Sequence, residues 1–146
     1  MRTREIVNEI NSLLNQSTYL YAQYAQENRI SYVEMMVLYA LLNTDTPLTQ
    51  IELGAYYVIS KQSINSAVKK YKTDGFILTV KDEKDKRQKY LKLTSSGEKY
   101  AHSVLDKMMK IEDEVTAISG DKNKAIIDGL EMYNMLFDKR LNKKDQ

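Results

Sequence analysis

The sequence predicts a mainly α-helical protein with one small β-hairpin, its short central helices flanked by long helices on both sides. Three observations predict this. Apolar residues recur at spacings of three and four through most of the 146 residues, the period of helices buried on one face. Three Ser/Thr-x-x-Glu boxes, Ser31–Glu34, Thr49–Glu52 and Ser95–Glu98, have the spacing at which a helix start satisfies its own backbone donors. Only Phe76–Val80 and Lys89–Leu93 read as strands, and the eight residues between them carry no apolar side chain.

Taken in order, Arg4 to about Asn28 places Ile6, Ile10, Leu13, Leu14, Leu20, Tyr21 and Tyr24 on one helical face. At about 1.5 Å per residue this helix is about 36 Å long, too long for a small domain to cover, so it packs on a later segment or on another copy. Ser31 opens a helix carrying Val33, Met36, Val37, Ala40 and Leu41, which stops near Asn43. Thr44–Pro47 is a turn, because Pro47 lacks an N–H and disfavours helix before it. Thr49 opens a short helix to about Tyr57, with Leu48, Leu53 and Tyr56 as its expected buried face. Ser60 then caps a third helix, whose inner face is Ile64, Ala67, Val68 and Tyr71. Its outer face is Lys61, Gln62, Ser63, Asn65, Ser66, Lys69 and Lys72. Two short helices joined in this way form a helix-turn-helix pattern, and the hairpin that follows Asp74-Gly75 is a wing. The fold class is therefore a winged helix-turn-helix lobe plus long N- and C-terminal helices. Ser95 opens the next long helix, with Ala101, Val104, Leu105, Met108, Ile111 and Val115, to about Ser119-Gly120. A last helix carries Ile126, Ile127, Leu130, Tyr133, Met135, Leu136 and Phe137, more apolar surface than a solvated tail needs. Lys143–Gln146 reads as a frayed end.

Composition narrows function. With 42% apolar and 29% charged residues the chain is an ordinary globular one. No run approaches the 18 apolar residues of a membrane span, and Met1–Glu5 leads into an amphipathic helix rather than a signal core, so a cytoplasmic protein is expected. The absence of cysteine removes disulfides, thiol chemistry and Cys-ligated zinc. His102, the single histidine, leaves little for metal or triad chemistry. It reads as a surface or interface residue, so no metal and no cofactor are expected. An enzyme would need a nucleophile–base constellation or a phosphate loop, and neither is present.

Charge is uneven. Ser60–Thr94 holds ten Lys or Arg against four acids, a net +6 in a chain whose total is +2, which leaves −4 for the remainder. Two readings of this basic lobe stand: a solvated charged face, or the footprint of a double-stranded DNA-binding surface. The helix-turn-helix pattern favours the second. Gln62 and Asn65 can pair with an adenine edge, Ser63 and Ser66 with either base, and the lysines supply phosphate affinity.

The motif residues together resemble the MarR family of bacterial winged-helix regulators. Leu48-Thr49 with Glu52-Leu53, Ile59–Ser63, Gly75–Ile77, Asp82-x-x-Asp85-x-Arg87 and Leu93-Thr94-x-x-Gly97 align in register with the family's motifs. The resemblance implies one domain over 1–146. Residues 1–29 and 98–146 would interlock two copies into a homodimer, and 30–97 would form the DNA-binding lobe. It implies a transcriptional regulator, in the repressor role, that reads DNA with Ser60, Lys61, Gln62, Ser63, Asn65, Ser66 and Lys69. Lys84, Asp85, Lys86, Arg87 and Lys89 would form the wing contacts, Arg87 entering the minor groove with Asp85 orienting it. For Arg87 a phosphate contact, or an intrachain contact with Asp82 or Asp85, is the alternative. A small aromatic or amphipathic effector between lobes would meet Tyr19, Tyr24, Tyr32 and Tyr39, although any one of them reads first as core packing. Methionines such as Met35, Met36, Met108 and Met135 read first as core and interface filler. Gly54, Tyr71-Lys72 and Thr79-Val80 depart from the family's usual residues. The rival reading is a winged helix used for protein contacts.

Overall fold

A computed structural model describes residues 1–142; the expected loose end at 143–146 lies outside the described residues. The elements are α1 (Thr3–Glu27), α2 (Tyr32–Leu42), β1 (Leu48–Thr49), α3 (Gln50–Tyr56), α4 (Lys61–Thr73), β2 (Ile77–Lys81), β3 (Lys89–Leu93), α5 (Ser95–Ser119) and α6 (Lys122–Leu141). Helix–turn–helix and hairpin stand where the sequence places them. The chain forms two compact units, residues 1–106 and 107–146.

In the first unit the core gathers around α2. Met35, Met36, Val37, Leu38 and Ala40 are all buried, so this helix is enclosed on several sides rather than along one stripe. That is why the period of three and four missed Met35 and Leu38 as core residues. Leu53 of α3, the predicted α4 set Ile64, Ala67, Val68 and Tyr71, and Ile77, Leu91 and Leu93 of the sheet close the core. Ala101, Val104 and Leu105 of α5 are also buried. A fully buried side chain of Leu or Ile size contributes about 1.5–3 kcal/mol. Burial also pushes the Tyr71 hydroxyl well above the usual tyrosine range, so it stays neutral.

Three local expectations are corrected. Tyr56 is 79% exposed, its ring edge-on to Tyr57 at 4.9 Å, because Leu53 and Gly54 already fill the inner face of the short α3. Leu48 belongs to a strand instead of a helical face. It pairs with Leu91, so the sheet has three antiparallel strands in the order β1-β3-β2. The box at Ser95–Glu98 does not cap α5; Thr94 does, its hydroxyl oxygen accepting the Gly97 N–H at 3.0 Å. That hydroxyl donates to the Gly75 carbonyl at 2.7 Å, and Ser96 donates to the same oxygen at 3.2 Å. The Thr94 N–H reaches the Phe76 carbonyl at 3.0 Å. The boxes at Ser31 and Thr49 form as expected. Backbone donation by Thr49 holds the Glu52 carboxyl below its usual range.

Helices α1, α3 and α4 end in one motif. The residue after the cap turns left-handed, and the next N–H reaches back five residues: Ile30 to Ala25 at 3.1 Å, Ile59 to Gly54 at 2.9 Å, Phe76 to Tyr71 at 2.8 Å. The left-handed positions are Arg29 (φ 60°), Val58 (φ 53°) and Gly75 (φ 75°). Glycine adopts this conformation freely, whereas a residue with a Cβ loses about 1–2 kcal/mol there.

In the second unit α5 ends at a turn on Gly120 (φ 51°), and Asn123 donates its side-chain amide to the Thr116 carbonyl at 2.7 Å. Helix α6 has no buried residue; Ile126, Ile127, Met135 and Phe137 are each more than half exposed. Ile111 and Val115, expected within an apolar face of α5, are also exposed, at 46% and 55%. Among the described residues no helix is long and apolar enough to cross a membrane.

Candidate nucleic-acid interface

Helix α4 presents its residues as the 3.6-residue period requires. With Ile64, Ala67, Val68 and Tyr71 inward, Lys61, Gln62, Ser63, Asn65, Ser66 and Lys69 are all exposed on the outer surface. Ser60 is committed to the helix start: its oxygen accepts the Ser63 N–H at 3.2 Å and its proton goes to the Ser63 hydroxyl at 2.9 Å. Ser63, acting there as acceptor, keeps its own proton for an outside partner. Asn65 is linked to Gln50, whose side-chain amide donates to the Asn65 carbonyl oxygen. Gln50 is a positioning residue the sequence did not reveal, because fifteen residues and a turn separate it from Asn65.

The net charge of the lobe overstates its free charge. Lys70 donates to a Glu34 carboxylate oxygen at 3.0 Å, and this bond raises its pKa above the usual lysine value. The other Glu34 oxygen accepts the Ser31 N–H of the α2 cap. Lys70 therefore ties α4 to α2, while Lys61 and Lys69 form no ion pair among the described residues.

The wing is ordered by its own acids. One Asp82 oxygen accepts the N–H groups of Lys84 at 2.6 Å and Asp85 at 3.1 Å; the other accepts the Tyr90 hydroxyl at 2.9 Å. These donors hold the Asp82 carboxyl below its usual range, and the bond to Asp82 raises the Tyr90 hydroxyl. Asp85 does orient the Arg87 segment, but through the backbone: its carboxylate accepts the Arg87 N–H at 3.0 Å. The Arg87 guanidinium forms no ion pair among the described residues. Lys84, Lys86, Arg87 and Lys89 are all exposed. A cleft of about 540 Å³ at the wing base has Thr49, Glu52, Lys72, Arg87 and Lys89 among its walls, which sets the wing cations beside the start of α3.

The four tyrosines occupy different settings. Tyr19 is 66% exposed on α1; Tyr24, partly buried, donates to the Val104 carbonyl at 2.6 Å; Tyr32 and Tyr39 are half-buried on α2. His102 is exposed and bonds Asp106 at 2.8 Å, one helical turn on. Among the described residues no three His, Asp or Glu side chains are grouped to hold a metal.

Comparison with known proteins agrees with this geometry. The family model described as MarR family matches residues 30–88, spanning α2, both short helices, β2 and the wing loop up to the start of β3. YwoH of Bacillus subtilis (strain 168), an uncharacterized HTH-type transcriptional regulator, is 31% identical over 115 residues, 76% of this chain and 82% of its own. NMB1585, a MarR family regulator from Neisseria meningitidis, is similar in structure with a TM-score of 0.80 at 23% identity, over 95% of this chain and 98% of that one. Reduced AbfR bound to DNA, from Staphylococcus epidermidis, gives a TM-score of 0.67 at 20% identity, over 94% of this chain and 99% of that one. An exposed polar face on α4, a wing ordered by Asp82 and Asp85, and a relative 31% identical over 115 residues place the chain in the MarR family of transcriptional regulators.

Proposed function

We propose that the chain acts as a cytoplasmic homodimer that binds a pseudo-palindromic operator in double-stranded DNA and represses transcription. The observation that carries the reading is the division of α4: one face is locked in the core while the other offers amide, hydroxyl and ammonium groups to solvent. Lys61 and Lys69 supply phosphate affinity, and Gln62, Ser63, Asn65 and Ser66 meet base edges in the major groove. Arg87, exposed in the wing loop and without an ionic partner among the described residues, enters the minor groove, with Lys84, Lys86 and Lys89 on the flanking phosphates. Residues 30–97 form the DNA-binding lobe, and residues 1–29 and 98–146 hold two copies together. Two-fold symmetry then spaces half-sites about one helical turn, roughly 10 bp, apart.

Regulation by a small aromatic or amphipathic effector near Tyr19, Tyr24, Tyr32 and Tyr39 is part of the proposal and rests on the family resemblance. The test is selection of bound duplexes from a random DNA pool, followed by titration of the recovered operator against wild type, Gln62→Ala and Arg87→Ala at several salt concentrations. Gln62→Ala loses discrimination between operator and random DNA. Arg87→Ala weakens binding and lowers the salt slope by about one. Failure of sheared genomic DNA to compete would favour a protein-contact role instead. A screen of small aromatic acids for release of the operator tests the effector.

A further inference from the structure

Val58 combines two features that a fold alone does not explain. It stands in the left-handed position that ends α3, where Gly75 stands in the matching turn that ends α4, and a β-branched side chain is strained there. Yet the side chain is 92% exposed, so it gains almost no packing within the chain in return. It does not stand alone. Ile51, one face of α3 away, is 79% exposed, and together with Ala55 the two line an open groove of about 590 Å³. Ser60 and Lys61, at the start of α4, line the same groove.

We propose that Val58 and Ile51 form an apolar contact with the 5-methyl group of a thymine beside the bases met by Lys61 and Gln62. The groove is continuous with the DNA-reading face, and within the major groove the thymine methyl is the base substituent that takes an apolar partner. The left-handed turn fixes Val58 at the threshold of α4, so its side chain enters the groove with that helix. Backbone strain at a position with no internal packing is the pattern expected where a side chain serves an external partner.

This inference rests on the DNA-binding reading, and the experiment separates the two. The operator recovered by selection is synthesised with each thymine replaced singly by deoxyuridine, which removes only the methyl. Wild type is expected to lose about fourfold in affinity at one thymine near the reading-helix contacts, the worth of one buried methylene-sized group. Val58→Gly and Val58→Asn, both at ease in a left-handed turn, are expected to lose about the same factor on the unmodified operator and nothing further at that thymine. Both are expected to melt at or above the wild-type Tm. Wild-type indifference to every deoxyuridine, or a further loss by the variants at that thymine as large as the wild-type loss, would overturn the thymine contact while leaving DNA binding intact. A lower Tm for both variants would show that Val58 serves the fold and would overturn it as well. If wild type recovers no duplex from the pool, the DNA-binding reading fails and this inference with it.

Discussion

A hydrogen is all that the Phe76 carbonyl leaves room for at Gly97: a Cβ there would lie 1.9 Å from that oxygen and 2.8 Å from its carbon. Both are backbone atoms, so no side chain can move aside. Gly97→Ala is therefore expected to cost about 3 kcal/mol or more, read as a lower urea midpoint with an unchanged m-value. The neighbouring lysines Lys69 and Lys70 give a second contrast. Lys69→Ala should weaken DNA binding and reduce the salt slope by about one, because its ammonium is unpaired among the described residues. Lys70→Ala should leave DNA binding nearly unchanged and cost under about 1 kcal/mol of stability, the range of an exposed ion pair with Glu34. Anisotropy titrations across salt, alongside thermal melts, check both. A charge count over Ser60–Thr94 could not separate these two lysines. Successive residues on a helix point about 100° apart, and the Glu34 carboxylate that claims one of them is distant in sequence. Gln50 was hidden for the same reason, while Gly97 was legible only as part of a motif, without its cause.

Among the elements, those with strong local signals stood where the sequence put them. The Ser31, Thr49 and Ser60 caps, the left-handed Gly75 and both hairpin strands depend on residues within a few positions of one another. Apart from Tyr56, whose neighbours Leu53 and Gly54 already take the inner face of α3, what failed depended on distant partners. β1 is two residues long and exists only because β3 runs beside it. Thr94 displaced Ser95 as the cap of α5 because the Gly75 carbonyl, nineteen residues back, fixes its hydroxyl. The wing illustrates an element whose order has a pH window. Asp82 titrates below its ordinary 3.8 when folded, so its contribution is present above that value and is lost as pH falls through the lower folded value. Tyr90 titrates above its ordinary 10.0, so its bond to Asp82 is complete below that value and is lost as pH rises through the higher folded value. The backbone amides of Lys84 and Asp85 should hold constant chemical shifts from about pH 5 to about pH 9 and move together in acid and in strong base. Shifts that drift through neutral pH would contradict this account.

For the whole molecule, several apolar residues that the sequence sets on the faces of the long helices stay exposed among the described residues. Leu13 and Leu20 of α1, Val115 of α5, and Ile126, Met135 and Phe137 of α6 are each about half exposed or more. Periodicity could identify this surface but not its partner, since nothing local distinguishes a face that packs within the chain from one that packs on a second copy. Under the homodimer proposal, Phe137→Asp should lower the sedimentation mass from dimer to monomer. Operator affinity should then fall at least tenfold, since one lobe can hold only one half-site. Sedimentation and operator titration at matched protein concentrations check the two outcomes together.

The Thr94 junction has a mechanical consequence. The Gly75–Phe76 peptide closes the reading helix, and its neighbourhood receives Thr94, Ser96 and the bare α-carbon of Gly97 at the root of α5. Three hydrogen bonds and one steric stop leave no soft joint between the end of α4 and the start of α5. A torque that tilts the root of α5 is thus delivered to α4 as rotation of a rigid elbow, not absorbed by bending. Under the proposed function, a change of a few degrees at that elbow would move the far end of α4 out of register with the bases it meets.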